Sequence, residues 1–173
     1  MSTWDERQRR AFSRDASPQE LVQLAHDENW MVRCATLFND NTPIVALADL
    51  VSDSNVEVRQ YVAQSDRALP RWREVLAHDE DWHVRYSLVD NPKLTPDELS
   101  RLAGDEVWTV RGVVAHDLRT PPADLARLAA DEESTVRAIV AQNPHTPLNV
   151  LTILASDNDA EVRVIAKTYH DSQ

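Results

Sequence analysis

Residues 131–155 read DEESTVRAIVAQNPHTPLNVLTILA, and this stretch decides the fold. Its landmarks are Asp131, the pair Val136-Arg137, the stops Asn143-Pro144 and Thr146-Pro147, and the leucines Leu151 and Leu154. Working outward, Val-Arg recurs with its arginine at Arg33, Arg59, Arg85, Arg111, Arg137 and Arg163, each 26 residues after the last. An aspartate stands six residues before each one: Asp27, Asp53, Asp79, Asp105, Asp131 and Asp157. Leu24, Leu50, Leu76, Leu102, Leu128 and Leu154 stand three residues before those. Three columns locked to one period define a repeat, and self-similarity of this length marks a stacked array. The copies tile as 18–43, 44–69, 70–95, 96–121, 122–147 and 148–173. Residues 1–17 remain as a separate N-terminal capping helix.

Each copy reads as two helices, which makes the chain all-α. The first helix opens at pairs such as Ser17-Pro18, Thr42-Pro43, Thr95-Pro96 and Thr146-Pro147, where the hydroxyl caps free amides and proline suits the first helical position. Glu20 and Glu98 fall at the third position, as a capping box requires. In the copies that use Pro43 and Pro147 the first helix is expected to start one residue early. The second helix follows the repeat aspartate, read as its N-cap, and ends before pairs such as Asn91-Pro92, because the residue before proline disfavours helical torsions. About ten residues is too short for a helix to be stable alone, so neighbouring copies must hold it.

The pattern D-x4-VR-x2-VA-x-NP-x-TP-x3-L-x2-LA resembles the leucine-rich repeat variant family and, more distantly, HEAT repeats. That resemblance implies a right-handed α-solenoid superhelix of six 26-residue helix pairs, the second helix short and in part of 3₁₀ character. It also implies that the six aspartates and six arginines form a structural ladder between neighbouring copies. Their chemistry supports this independently, since twelve charges at one spacing in every copy cannot all belong to one active site. An iron–sulfur cluster occurs in one branch of the family, but Cys34 is the only cysteine here, so no cofactor and no metal is expected.

Composition narrows the function. A net charge of −11 repels phosphate backbones, so nucleic acid is not the expected partner. No stretch has the length and apolarity of a signal peptide or a membrane span. With a single cysteine, the expected location is the cytoplasm. His26-Asp27, His78-Asp79 and His116-Asp117 are sequence neighbours whose side chains diverge on a helix. No nucleophile elbow, phosphate loop or zinc motif occurs, so catalysis is not expected.

Function is sought where the copies differ. Positions three before, one after and five after the repeat arginine share a helix face. They read Trp30, Cys34 and Phe38; Val56, Gln60 and Gln64; Trp82, Tyr86 and Asp90; Trp108, Gly112 and His116; Ser134, Ala138 and Gln142; and Ala160, Val164 and Thr168. On a concave face this would be an aromatic-floored groove binding a protein or peptide through Trp30, Phe38, Gln60, Gln64, Trp82, Tyr86, Trp108, His116 and Gln142. Alternatively, the tryptophans cover the junctions between helices. Two other functions stay open: a HEAT-like nucleic-acid or base-modifying enzyme, and a small-ligand pocket where Gly112 leaves a gap between Trp108 and His116.

In the third copy Arg73 replaces a core leucine, and Arg67, Arg71 and Arg73 read either as solvated charge or as a candidate basic docking patch for an acidic segment. At the chain ends, Thr3 and Glu6 read as a capping box, with Trp4, Ala11 and Phe12 covering the first copy. Lys167 places a charge where earlier copies have an apolar residue. Together these point to a monomer.

Overall fold

The computed structural model describes residues 3–170, and among them there are thirteen α-helices and no strand. Helix α1 spans Trp4–Phe12. Six pairs follow: α2 (Pro18–Leu24) with α3 (Trp30–Leu37), α4 (Ile44–Leu50) with α5 (Val56–Gln64), and α6 (Pro70–Leu76) with α7 (Trp82–Val89). The remaining three are α8 (Pro96–Leu102) with α9 (Trp108–His116), α10 (Pro122–Leu128) with α11 (Ser134–Gln142), and α12 (Leu148–Leu154) with α13 (Ala160–His170). The chain forms two compact units that divide after Lys93. In the first, the second helices stack in the order α1, α3, α5, α7; in the second, α9, α11 and α13 do the same.

The valine before each repeat arginine is the centre of this packing. Val32, Val58, Val84, Val110, Val136 and Val162 are all fully buried, and so are Leu21, Leu47, Leu99, Leu125 and Leu151 of the first helices. Leu37, Ala63, Val89, Ala115 and Ala141, four residues after the arginine, are buried as well, whereas Lys167 in that column is exposed.

Several local expectations need correction. The first helix of each pair is the shorter, seven residues long, and the second helices are α-helical rather than 3₁₀. Tight i−3 bonds occur in the turn after the first helix, as from His26 N–H to Gln23 O at 3.1 Å, and at the ends of the second helices, as from Val32 N–H to Asn29 O at 3.1 Å. The first helices also keep the 26-residue register at their starts, so Pro43 and Pro147 precede the helix instead of entering it early. Thr42 and Thr146 therefore do not cap. Their hydroxyls donate to Thr36 O at 2.7 Å and Val140 O at 2.6 Å, satisfying carbonyls at the end of the preceding helix. Thr95 and Glu98 form the full capping box, as do Thr3 and Glu6, but the Glu20 carboxylate is taken by Arg10 at 2.5 and 2.7 Å. No described residue has positive φ, which is how loops with so little glycine close. Among the described residues no helix is long and apolar enough to cross a membrane.

Candidate functional site

Along one edge of each unit runs a series of arginine–aspartate pairs. Arg33 donates from Nε and Nη2 to the two oxygens of Asp53 in the next copy, both at 2.7 Å. Arg59 meets Asp79 in the same way, Arg111 meets Asp131, and Arg137 meets Asp157. The third nitrogen turns back to the backbone of its own copy, as from Arg33 Nη1 to Asp27 O at 2.8 Å and from Arg85 Nη1 to Asp79 O at 2.7 Å. One guanidinium thus joins two copies. The first rung comes from outside the six copies: Arg7, 26 residues before Arg33, meets Asp27 at 2.6 and 3.0 Å. Helix α1 therefore occupies the place of a second helix, a relation visible in the sequence once the period is run back one step.

The repeat aspartate is not the helix cap. Its Oδ1 accepts the N–H two residues on, as in Asn29 to Asp27 at 2.9 Å, which closes an Asx turn, and in the first three copies that donor residue is itself the cap: Asn29, Asn55 or Asp81. Burial pushes the Asp131 carboxyl up. The Arg111 fork, the Glu133 N–H and the charges of Arg111 and Arg137 together outweigh burial and hold it below the ordinary carboxylate value. At Asp157 the hydrogen bond from Arg137 is the largest influence, and that carboxyl is lowered too.

A second set of bonds joins the loops. Asn39, Asn91 and Asn143 are buried and each donates to two carbonyls, of the preceding copy for Asn91 and Asn143 and of residues before the first copy for Asn39: Asn91 reaches Ala63 O at 2.6 Å and Ser65 O at 2.8 Å. In the second copy Ser65 replaces this asparagine, and Arg67 ties the loops instead, donating to Asn39 O at 2.9 Å and Thr42 O at 2.5 Å. Arg73 is buried and donates to Ala68 O at 2.9 Å, with Trp72 buried beside it in the sequence. The basic patch of Arg67, Arg71 and Arg73 is thus not a surface feature. Arg71 is exposed, and the other two spend their donors on carbonyls inside the fold.

The variable face is uneven. Phe38 is 61% exposed, its ring 6.1 Å from Phe12 and 5.8 Å from Tyr61, the latter edge-on. Beside it lies a cavity of about 390 Å³ lined by Leu37, Phe38, Asp40, Tyr61, Gln64, Ser65, Asp66 and Arg67. Of the expected groove residues, Trp82 and Tyr86 meet edge-on at 6.3 Å, and His83 stacks on Trp82 at 3.7 Å. Trp30, Gln60 and Trp82 are half-buried, while Gln64, Tyr86, Trp108, His116 and Gln142 are exposed. Tyr61 and Phe12 join Phe38 although neither was in the expected groove set, because Tyr61 stands two residues after its arginine and Phe12 belongs to α1.

Gly112 leaves no gap between Trp108 and His116. It is buried, and a Cβ there would meet Ile139 Cδ1 of α11 at 3.4 Å, so the space beside it is already filled by that side chain. Cys34 is a buried free thiol, pushed up to about 12 by burial and by the Asp53 charge, and is therefore protonated and unreactive.

The pattern of the leucine rich repeat variant family matches residues 135–159. This interval runs through the Val136-Arg137 copy to the aspartate of the next, and the other copies share its columns. A solved structure described as a leucine-rich repeat variant with a novel repetitive protein structural motif is 25% identical over 88% of this chain and 81% of its own, with a TM-score of 0.46. No curated protein gives a significant match.

Proposed function

We propose that this array of leucine-rich repeat variant repeats is a non-catalytic scaffold that binds a protein or peptide segment along the variable face of its second helices. The observation that supports this most is the cluster of Phe12, Phe38 and Tyr61, which are 52%, 61% and 41% exposed. Large aromatic rings held in the open cost solvation and are the usual anchors of recognition surfaces. The repeat does not need them, because Gln142 and Thr168 occupy the Phe38 column in later copies. Within each unit the recurring arginines and aspartates pair in the ladder, which leaves the divergent columns to carry specificity. We take the scaffold to be a cytoplasmic monomer, and its single cysteine, kept as a buried thiol, fits a reducing compartment.

A capture experiment from the source cell's lysate tests the reading. Wild-type protein should retain a partner that the Phe38→Ala/Tyr61→Ala double variant loses while keeping its helical circular dichroism. Equal capture by both would refute binding through this face.

A further inference from the structure

We propose that the cavity beside Phe38 takes the side chain of an arginine carried on an extended basic peptide. This deepens the scaffold reading and rests on it. Two kinds of group meet at the cavity. The rings of Phe38 and Tyr61 supply π-faces and apolar walls, and Asp40 and Asp66 bring carboxylates to the same lining. Both aspartates are exposed, and among the described residues neither has a hydrogen bond or ion pair. The arginine in the wall, Arg67, directs its donors to Asn39 O and Thr42 O, so its fork is spent on the loop. Two carboxylates against one guanidinium leave the lining net negative, on a chain whose overall charge is −11.

This combination selects its occupant. An aliphatic side chain would fill the apolar part but leave two carboxylates partly desolvated and unpaired, which is unfavourable. An anionic side chain would be repelled. A cation over an aromatic face within about 6 Å of the ring is attracted by the ring quadrupole, and nearby carboxylates add charge-assisted hydrogen bonds. Guanidinium satisfies both at once, since its plane stacks on a ring while its edge forks to a carboxylate; a compact ammonium cannot do both. A volume of about 390 Å³ lies at the small end of ligand sites and suits one long side chain better than a folded element. Gln64, an exposed lining residue, donates its amide nitrogen to Asp90 at 3.5 Å and offers its amide oxygen to the peptide backbone.

The probe is a random 12-residue peptide library selected against the full chain, followed by titration of one selected peptide and of the same peptide with citrulline, the uncharged isostere, in place of arginine. We expect arginine to be enriched at one position. Citrulline, and separately the Asp40→Asn/Asp66→Asn double variant, should each weaken binding at least tenfold. Glu133→Gln/Glu161→Gln, an equal change of charge elsewhere, should alter it less than twofold. Selected peptides that bind equally well with citrulline, or equally well to Asp40→Asn/Asp66→Asn, would overturn the arginine assignment and leave the scaffold reading intact. A library that yields no binder would overturn both.

Discussion

The α3–α5 stretch of the first unit and the α11–α13 stretch of the second are built on the same rung but present different surfaces. Arg33 meets Asp53 at 2.7 Å and Arg137 meets Asp157 at 2.8 Å, and each arginine also holds an aspartate carbonyl of its own copy at 2.8 Å. Five residues after the arginine, the first stretch carries Phe38 and the second Gln142; two residues after it, α5 carries Tyr61 and α13 carries Ile165. The rung does not register the change. The difference teaches that spacing and recognition are assigned to separate columns, so one can vary while the other is held.

The shared part breaks most easily. Arg111→Ala strands Asp131, whose side chain is 5% exposed, and should cost about 3 kcal/mol of unfolding free energy. Arg9→Ala removes an exposed pair with Asp5 and should leave the urea midpoint where it is. Coincident midpoints for the two variants would contradict a structural ladder.

The loop bonds come next. Asn91→Ala leaves two carbonyls of the preceding copy without their donor and should cost roughly 2 kcal/mol, again read from the urea midpoint. Ser65→Ala, at the same column where Arg67 ties the loops, should cost clearly less. The reverse order would mean that the asparagines are incidental.

Acid titration gives a smaller effect per rung. The lowered carboxyls of Asp27, Asp131 and Asp157 stabilise the fold above the unfolded-state value and lose that contribution as pH falls through their folded values. Stability should therefore be level from neutrality to about pH 5 and decline below about pH 4. In Arg111→Ala the acid decline should be shallower, because Asp131 no longer contributes. Urea midpoints measured from pH 7 to pH 3 decide this, and a gain in stability on acidification would contradict it.

The smallest change sharpens the other side of the comparison. Gly112→Ala should stabilise by about 0.5 kcal/mol, since alanine is the better helix former and only the flexible end of Ile139 lies in its way. A loss of stability would mean that α9 and α11 cannot yield even there.

The repeat was legible because Asp, Arg, Val and Leu recur at fixed spacing, and each spacing has a helical meaning. The loop ties were not. An arginine such as Arg67 in an acidic chain reads as part of a basic surface patch, and its partners are backbone carbonyls, which leave no trace in sequence. A signal did exist at twice the period, since Asn39, Asn91 and Asn143 recur every 52 residues. Asp27 was read as a cap because Asx turns and N-caps use the same residues within two positions of each other. On the variable face, helical spacing correctly relates Trp82 to Tyr86, four residues on within α7, but the approach of Phe12, Phe38 and Tyr61 depends on how helices of different copies stack, which no single-helix periodicity contains.

The separation of spacing from recognition is tested most directly by Phe38→Ala, measured for both stability and affinity toward a selected peptide. The ring is mostly exposed, so the urea midpoint should move by no more than about 1 kcal/mol equivalent while affinity falls at least tenfold. A midpoint that drops as far as that of Arg111→Ala, with peptide affinity unchanged, would show that the variable face is core and would contradict the account.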